Sequence, residues 1–190
     1  MVANNSGGEK TLAYGKTENY VMQLKTVLSD GNEYTFHRLA KQELANRMKQ
    51  KNFEGELYRR TYHLIRKNDA LLQKARPNVT KNSAGYYLWD VWDKATGNFD
   101  LAKLFVGSQG TLGLITEITF RLIRPKKHSR LLVMFLPTLD PLVEITQAVL
   151  RYKPESFESY DDHTLKVALR FFPSFFRLMK AKNAISFAFQ

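Results

Sequence analysis

The 190-residue chain contains no cysteine. Disulfides, thiolate metal sites and cysteine nucleophiles are therefore excluded, and a reducing compartment is compatible with the composition. Long apolar runs are also missing. None reaches the roughly 18–20 residues a membrane-spanning helix needs. The N-terminal "MVANNSGGEK" lacks the basic-then-apolar order of a secretory leader. These absences point to a soluble, cytoplasmic chain. Acid is scarce as well, with 18 Asp and Glu against 29 Lys and Arg, a net charge of +11. Much of the excess is local: the stretch from Arg38 to Arg76 holds eleven basic and four acidic residues. Such a face attracts polyanions if it is not simply a solvated helix surface, so a nucleic-acid-binding module stands as one alternative. Glycine, too, is sparse. Only ten occur, yet three fall in the seven residues Gly107–Gly113.

What is present suffices for a core, since 44% of the residues are hydrophobic and 13% aromatic. "NYVMQLKTVLSDGNEYTFHRL" alternates, with Met22, Leu24, Thr26 and Leu28 on one face, and Asp30-Gly31 marks a hairpin turn. Strands are expected at about 21–29 and 33–38. A polar helix is expected over 40–51. A second helix runs up to Pro77, with Leu57, Thr61, Leu64, Leu71 and Ala75 as its buried stripe. After the glycine cluster, 114–123 reads as a strand. "RPKKHSR" reads as a boundary, "LLVMFLP" (131–137) as a short buried strand, and "DPLVEITQAVLRY" as a helix with Asp140 at the N-cap and Pro141 at its first position. The fold class is α+β, an antiparallel sheet flanked by helices.

The glycine cluster, "VGSQGTLGLIT", leads straight into a strand. Glycines allow positive φ and close backbone approach, so that successive amides converge on an anion, and Ser108 and Thr111 add hydroxyls. A tight strand-entry turn would look similar. Neither the G-x-G-x-x-G dinucleotide spacing nor a Walker lysine is present. A second loop of the same character, "ANNSGGEKTLAYGKTENYV", also leads into a strand, which suggests two edges of one site.

Together "ANNSGG…YGKTENYV", "KNSAGYYLWD" and "LFVGSQGTLGLITEITFRL" resemble the FAD-linked oxidases with the vanillyl-alcohol-oxidase (PCMH) type of flavin domain, in particular their D-lactate, glycolate and 2-hydroxyglutarate dehydrogenase branch. The resemblance implies an oxidoreductase that passes hydride from a 2-hydroxy acid to flavin. Residues 1–124 would be the C-terminal part of the FAD-binding domain, and 125–190 the start of an α+β cap over the substrate. It places Asn4, Asn5, Ser6 and Gly7 along the flavin and pyrophosphate, with Tyr14, Gly15, Lys16 and Thr17 in support. Gln109, Gly110, Thr111, Leu112, Gly113, Leu114 and Ile115 would form the second cofactor loop. The family usually has Glu at position 109.

The resemblance further implies an internal portion of a longer enzyme, since the family's N-terminal pyrophosphate subdomain would precede Met1 and its histidine-rich substrate and metal motif would follow "AISFAFQ". On that basis FAD binding by this chain is expected to be weak or absent, and the chain alone inactive. Its partners would be the missing N-terminal subdomain, the rest of the cap and a second copy of itself.

No catalytic residue is assigned from the sequence, and the histidines (His37, His63, His128 and His163) show no metal-ligand spacing. "FESYDDHT" reads as a surface loop or helix cap. "LKVALRFFPSFFRLMKAK" mixes phenylalanine with basic residues and carries no acid, which keeps a peripheral membrane contact as another alternative. Pro173 is expected to interrupt it.

Overall fold

The structure is a computed structural model and describes residues 1–79 and 82–178. The chain forms two compact units, the first spanning Met1–Glu155 and the second starting at Ser156.

The first unit is built on a four-stranded antiparallel sheet in the order β3-β2-β1-β4. Its strands are β1 (Val21–Val27), β2 (Glu33–Leu39), β3 (Phe99–Asp100) and β4 (Leu114–Phe120). The β1–β2 hairpin closes as the sequence predicts: Gly31 sits at φ 80°, and the Asp30 carboxylate accepts the Asn32 amide at 3.1 Å. Residue Leu24 faces Phe36 on one side and Ile118 on the other, so β1 is the spine of the sheet. Of the expected inner face, Leu24, Thr26 and Leu28 are buried, whereas Met22 lies at the sheet's end and is exposed.

After the one-turn α1 (Thr11–Tyr14), helices α2 (Lys41–Lys49) and α3 (Phe53–Ala75) cover the sheet, and the short α4 (Ala102–Phe105) closes the core. The Phe36 and Phe105 rings stack at 4.7 Å, and Tyr58 tilts against Phe36 at 6.4 Å. Each buried aromatic of this kind contributes about 2–3 kcal/mol through the apolar area it removes from water. Asn52 caps α3 by accepting the Gly55 amide at 2.9 Å, and Arg59 donates to the last carbonyls of α2, Met48 and Gln50. Gly55 is required for this corner, because a Cβ there would lie 2.1 Å from the Gln50 carbonyl oxygen.

The buried stripe of α3 is displaced by one position from expectation. Tyr58, Ile65 and Asp69 are buried with Tyr62 and Leu72 packed beside them, while Leu64 and Leu71 are exposed. The aromatic rings set the helix rotation: Tyr58 and Tyr62 both pack on Phe99, a larger contact than the leucines offer. Asp69 is tolerated on the inner face because Lys94 pairs with it. Much of the basic excess is likewise engaged, Arg47 with Glu54, Arg59 and Arg60 with Glu56, Arg76 with Asp90 and Arg38 with Asp93.

Past β4 the expectations hold less well. Residues 131–137 form no strand, and Leu131, Leu132 and Phe135 are exposed. Apolar patterning alone does not make a strand: a ladder needs a partner, and none lies beside this segment among the described residues. The next helix is α5 (Leu142–Leu150), where Pro141 is the N-cap and no side chain caps the first turn, so the expected Asp140 cap is displaced by one residue. In the second unit α6 (Asp162–Leu178) begins with the Asp161 carboxylate accepting the Thr164 amide at 2.7 Å, the helix cap expected in "FESYDDHT". This helix continues through Pro173 rather than breaking there. A proline removes one ladder bond, and the turns on either side carry the helix across. No helix among the described residues is long and apolar enough to cross a membrane.

Candidate functional site

The two glycine loops, more than a hundred positions apart, are hydrogen-bonded to each other. The Gly107 amide donates to the Val2 carbonyl at 3.0 Å, and the Gln109 amide to the Ala3 carbonyl at 2.8 Å. This pairing requires left-handed backbone on both sides: Asn5 at φ 45°, Gly107 at φ 84°, Gln109 at φ 55° and Gly110 at φ 80°. Asn and Gly tolerate that region best, so Gln109 is the strained member of the set.

Asn5 is the hub. It is fully buried; its side-chain amide donates to the Glu18 carboxylate, and its Oδ1 accepts the Glu18 amide at 3.1 Å. The next carbonyl, Ser6, accepts the Thr17 amide at 3.4 Å and the Thr17 hydroxyl at 2.7 Å. Thr17 thus bonds to the first loop through both its amide and its hydroxyl.

A third loop joins the first two. Ser83 Oγ donates to the Asn5 carbonyl at 3.5 Å, and the Tyr86 and Thr111 hydroxyls share a 2.7 Å hydrogen bond. Lys16 is buried and donates to the Tyr87 hydroxyl at 2.6 Å, while Tyr87 in turn donates to the Asn82 carbonyl. The chain Asn5–Glu18–Lys16–Tyr87–Asn82 therefore runs behind all three loops, with Lys16 Nζ 3.8 Å from the Glu18 carboxylate. Buried polar groups that are mutually satisfied in this way fix loop geometry rather than merely tolerate it.

What the cluster offers a ligand is backbone. Among the described residues the amides of Gly7, Gly8 and Gly110 have no acceptor, and all three glycines are exposed. A Cβ at Gly110 would meet nothing within 4 Å, so the space beside its Cα is open. Ser108 Oγ is buried with no hydrogen-bond partner among the described residues. Exposed amides without an acceptor, that of Gly110 at positive φ, and a partly exposed Tyr86 ring suit an anionic, aromatic ligand.

Several expected site residues have other duties. Gly113 packs against the sheet, where a Cβ would lie 2.6 Å from the Val27 carbonyl oxygen. Leu114 and Ile115 are β4 residues paired with Val27 and Thr26, and Leu112 packs on the core. The side chain of Asn5 points into the protein, and the Tyr14 hydroxyl reaches Glu155, away from the loops, at 2.8 Å. That hydrogen bond holds the Glu155 carboxyl below its usual range, with Lys126 and Lys10 adding to the effect, and raises the Tyr14 phenol. Gly15, at φ 75°, makes the turn between Tyr14 and Lys16, and Asn4 is exposed on the first loop.

Glu18, Asn82, Ser83, Tyr86 and Tyr87 are participants given no individual role from sequence, although the last four lie in the "KNSAGYYLWD" stretch. A signal was available for the third loop, because "KNSAG" repeats the Asn-Ser-x-Gly character of "NNSGG". Nothing local marks Glu18, whose role depends on where Asn5 lies in space.

No family model matches the chain. Relatives do. It is 28% identical over 169 residues to a D-2-hydroxyglutarate dehydrogenase of Escherichia coli, an alignment covering 88% of this chain and 16% of that protein. It is 26% identical over 168 residues to the glycolate oxidase subunit GlcD of Bacillus subtilis, covering 87% and 25%. With a D-lactate dehydrogenase of Archaeoglobus fulgidus it shares 27% identity over 151 residues, 80% of this chain and 22% of the relative. The chain thus spans a quarter or less of the length of these relatives.

Proposed function

Because the chain is a homologue of the FAD-linked oxidase family of the D-lactate and glycolate type, we propose that its three converging loops form one wall of an FAD site in an enzyme that oxidises a 2-hydroxy acid. The observation that carries this reading is the pair of hydrogen bonds from Gly107 and Gln109 to Val2 and Ala3, which joins both glycine loops, beside exposed Gly7, Gly8 and Gly110 amides that have no acceptor among the described residues. Those amides would hold phosphate or ribose oxygens of the dinucleotide. FAD, when bound, supplies the hydride acceptor; the chain's own residues bind and orient it and keep its wall rigid. Asn5, Glu18, Lys16 and Tyr87 act behind the wall, through the loops they fix. A proton acceptor and a substrate clamp are not assigned to any residue of this chain.

On this reading residues 1–124 contribute to the flavin domain and the later residues to a cap, and the remaining pyrophosphate contacts come from a further subdomain. The nucleic-acid and membrane alternatives gain no support from the relatives, and the paired arginines of the basic stretch argue for a structural use of that charge. The test is a titration of the chain with FAD, followed by flavin fluorescence and by backbone amide resonances. Binding no tighter than micromolar is expected, with shifts concentrated at Gly7, Gly8 and Gly110. Shifts confined to the α2–α3 surface would overturn the assignment of the wall, and sub-micromolar binding would overturn the expectation of weak or absent binding.

A further inference from the structure

Away from the three-loop wall, three donors converge on a single carboxylate. Glu155 Oε1 accepts the Tyr14 hydroxyl at 2.8 Å, and Lys126 Nζ lies 3.4 Å from the same oxygen. Lys10 Nζ lies 3.4 Å from Oε2. Glu155 is largely enclosed, its side chain 17% exposed, whereas both lysines are 63% exposed. A cavity of about 420 Å³ opens at this point, lined by Leu12, Ala13, Leu150 and Pro154 together with Lys126 and Lys153. Lys153, three residues past the end of α5, is in left-handed backbone at φ 51°.

We propose that Tyr14, Lys10 and Lys126 form a carboxylate-binding site, with Glu155 seated in it as an internal placeholder, and that a small carboxylate with a short apolar body displaces Glu155 to bind there. Three features support this. The group already seated is a carboxylate, held by the donor set that recognises one: a phenol hydroxyl and two ammonium groups. Both ion pairs are long and their lysines solvated, so each contributes little to stability and exchanging one carboxylate for another is nearly balanced. Finally, Tyr14 and Lys126 also line an open cleft with Leu12, Ala13, Leu150 and Pro154, which gives the body of a ligand the apolar surface that a lone ion does not need. Three lysines around one acid also leave the pocket net positive once Glu155 is neutralised or withdrawn.

The experiment needs no flavin, so its outcome is independent of the cofactor reading. The full chain is titrated with butyrate, glutarate and inorganic phosphate while backbone amide resonances are followed. In the wild type, butyrate is expected to bind weakly and to shift residues 12–14, 126 and 150–155. Glu155→Gln keeps the shape and removes the competing charge, and is expected to bind butyrate at least about tenfold more tightly. Adding Lys126→Gln to that variant should abolish the gain. Should Glu155→Gln fail to fold, Tyr14→Phe in an otherwise wild-type chain replaces it and is expected to weaken butyrate binding. Equal affinity of Glu155→Gln and wild type, an unchanged affinity in Tyr14→Phe, or shifts spread over surface lysines elsewhere would overturn the proposal. Phosphate binding as tightly as butyrate would overturn its carboxylate selectivity.

Discussion

The amide of Gln109 donates to the carbonyl of Ala3 at 2.8 Å, with Gln109 itself at φ 55°. A residue that pays no visit to this region without cost is held there by a backbone bond to the other loop. The strain and the bond belong to the same feature, and it joins the two glycine-rich segments into one wall.

The glycines of the second loop should therefore separate by mechanism. Gly110 has open space around a Cβ but sits at φ 80°, so Gly110→Val costs about 1–2 kcal/mol through backbone strain. Folding should survive while the loop re-aims its amide. On the proposed reading, the longer enzyme carrying this substitution is expected to lose bound flavin at a near-wild-type melting temperature; an unchanged flavin-to-protein ratio would show that this amide does not face the cofactor.

Gly113 should behave differently, because its Cβ would collide with the Val27 carbonyl oxygen at 2.6 Å. Gly113→Val forces β1 and β4 apart at a core position and is expected to cost about 3 kcal/mol. Urea unfolding of the chain reads this directly, with no cofactor present.

The Asn5–Glu18 pair predicts non-additivity. Asn5→Ala removes two hydrogen bonds to Glu18 and leaves a buried carbonyl cluster without its turn residue, a loss of about 2–3 kcal/mol. Glu18→Ala removes much of the same interaction. The double variant should cost clearly less than the two singles combined, and strict additivity in denaturant melts would count against Asn5 as the hub.

Two carboxylates should pull the pH dependence of stability in opposite directions. The folded-state pKa of Glu155 is held down by Tyr14 first and by Lys126 and Lys10 after it. Its contribution is present above the ordinary glutamate pKa and is lost as pH falls through the depressed folded value. Asp100 is shifted upward, chiefly by burial, so keeping it ionised at neutral pH costs stability. Asp100→Asn retains an acceptor for the Ala102 amide, a 3.0 Å contact, and should stabilise the chain near neutrality. That gain should shrink as pH falls through the raised pKa of Asp100. Chemical denaturation at neutral and acidic pH tests both signs.

Self-association is the remaining expectation. β4 is an edge strand, and Leu122, Leu131 and Phe135 beyond or along it are each more than four-fifths exposed. Bare edges and contiguous apolar segments recruit partners. Light scattering over a concentration series should show growth in mass, and Leu131→Ser with Phe135→Ser should suppress it. A monomer at every concentration would contradict this.

The amino-acid sequence by itself determined the local structure wherever the signal is short-range. Alternation and the Asp30-Gly31 turn specify the β1–β2 hairpin, helical spacing specifies α2 and α3, and glycine spacing marks both loops as sites of unusual backbone. Only the tertiary structure decided which face of α3 is buried, because that depends on the rings of Phe99 and Trp92 against Tyr62 and on Lys94 meeting Asp69. It also decided that residues 131–137 are not a strand, since a strand exists only with a neighbour to bond. The same holds for the candidate site. Sequence identified the glycines, but the division of labour among them, with Gly110 facing outward and Gly113 packed on Val27, is a matter of what lies within a few ångströms in space. Glu18 became a site residue for that reason alone: its partner Asn5 is thirteen residues away in sequence and adjacent only in the fold.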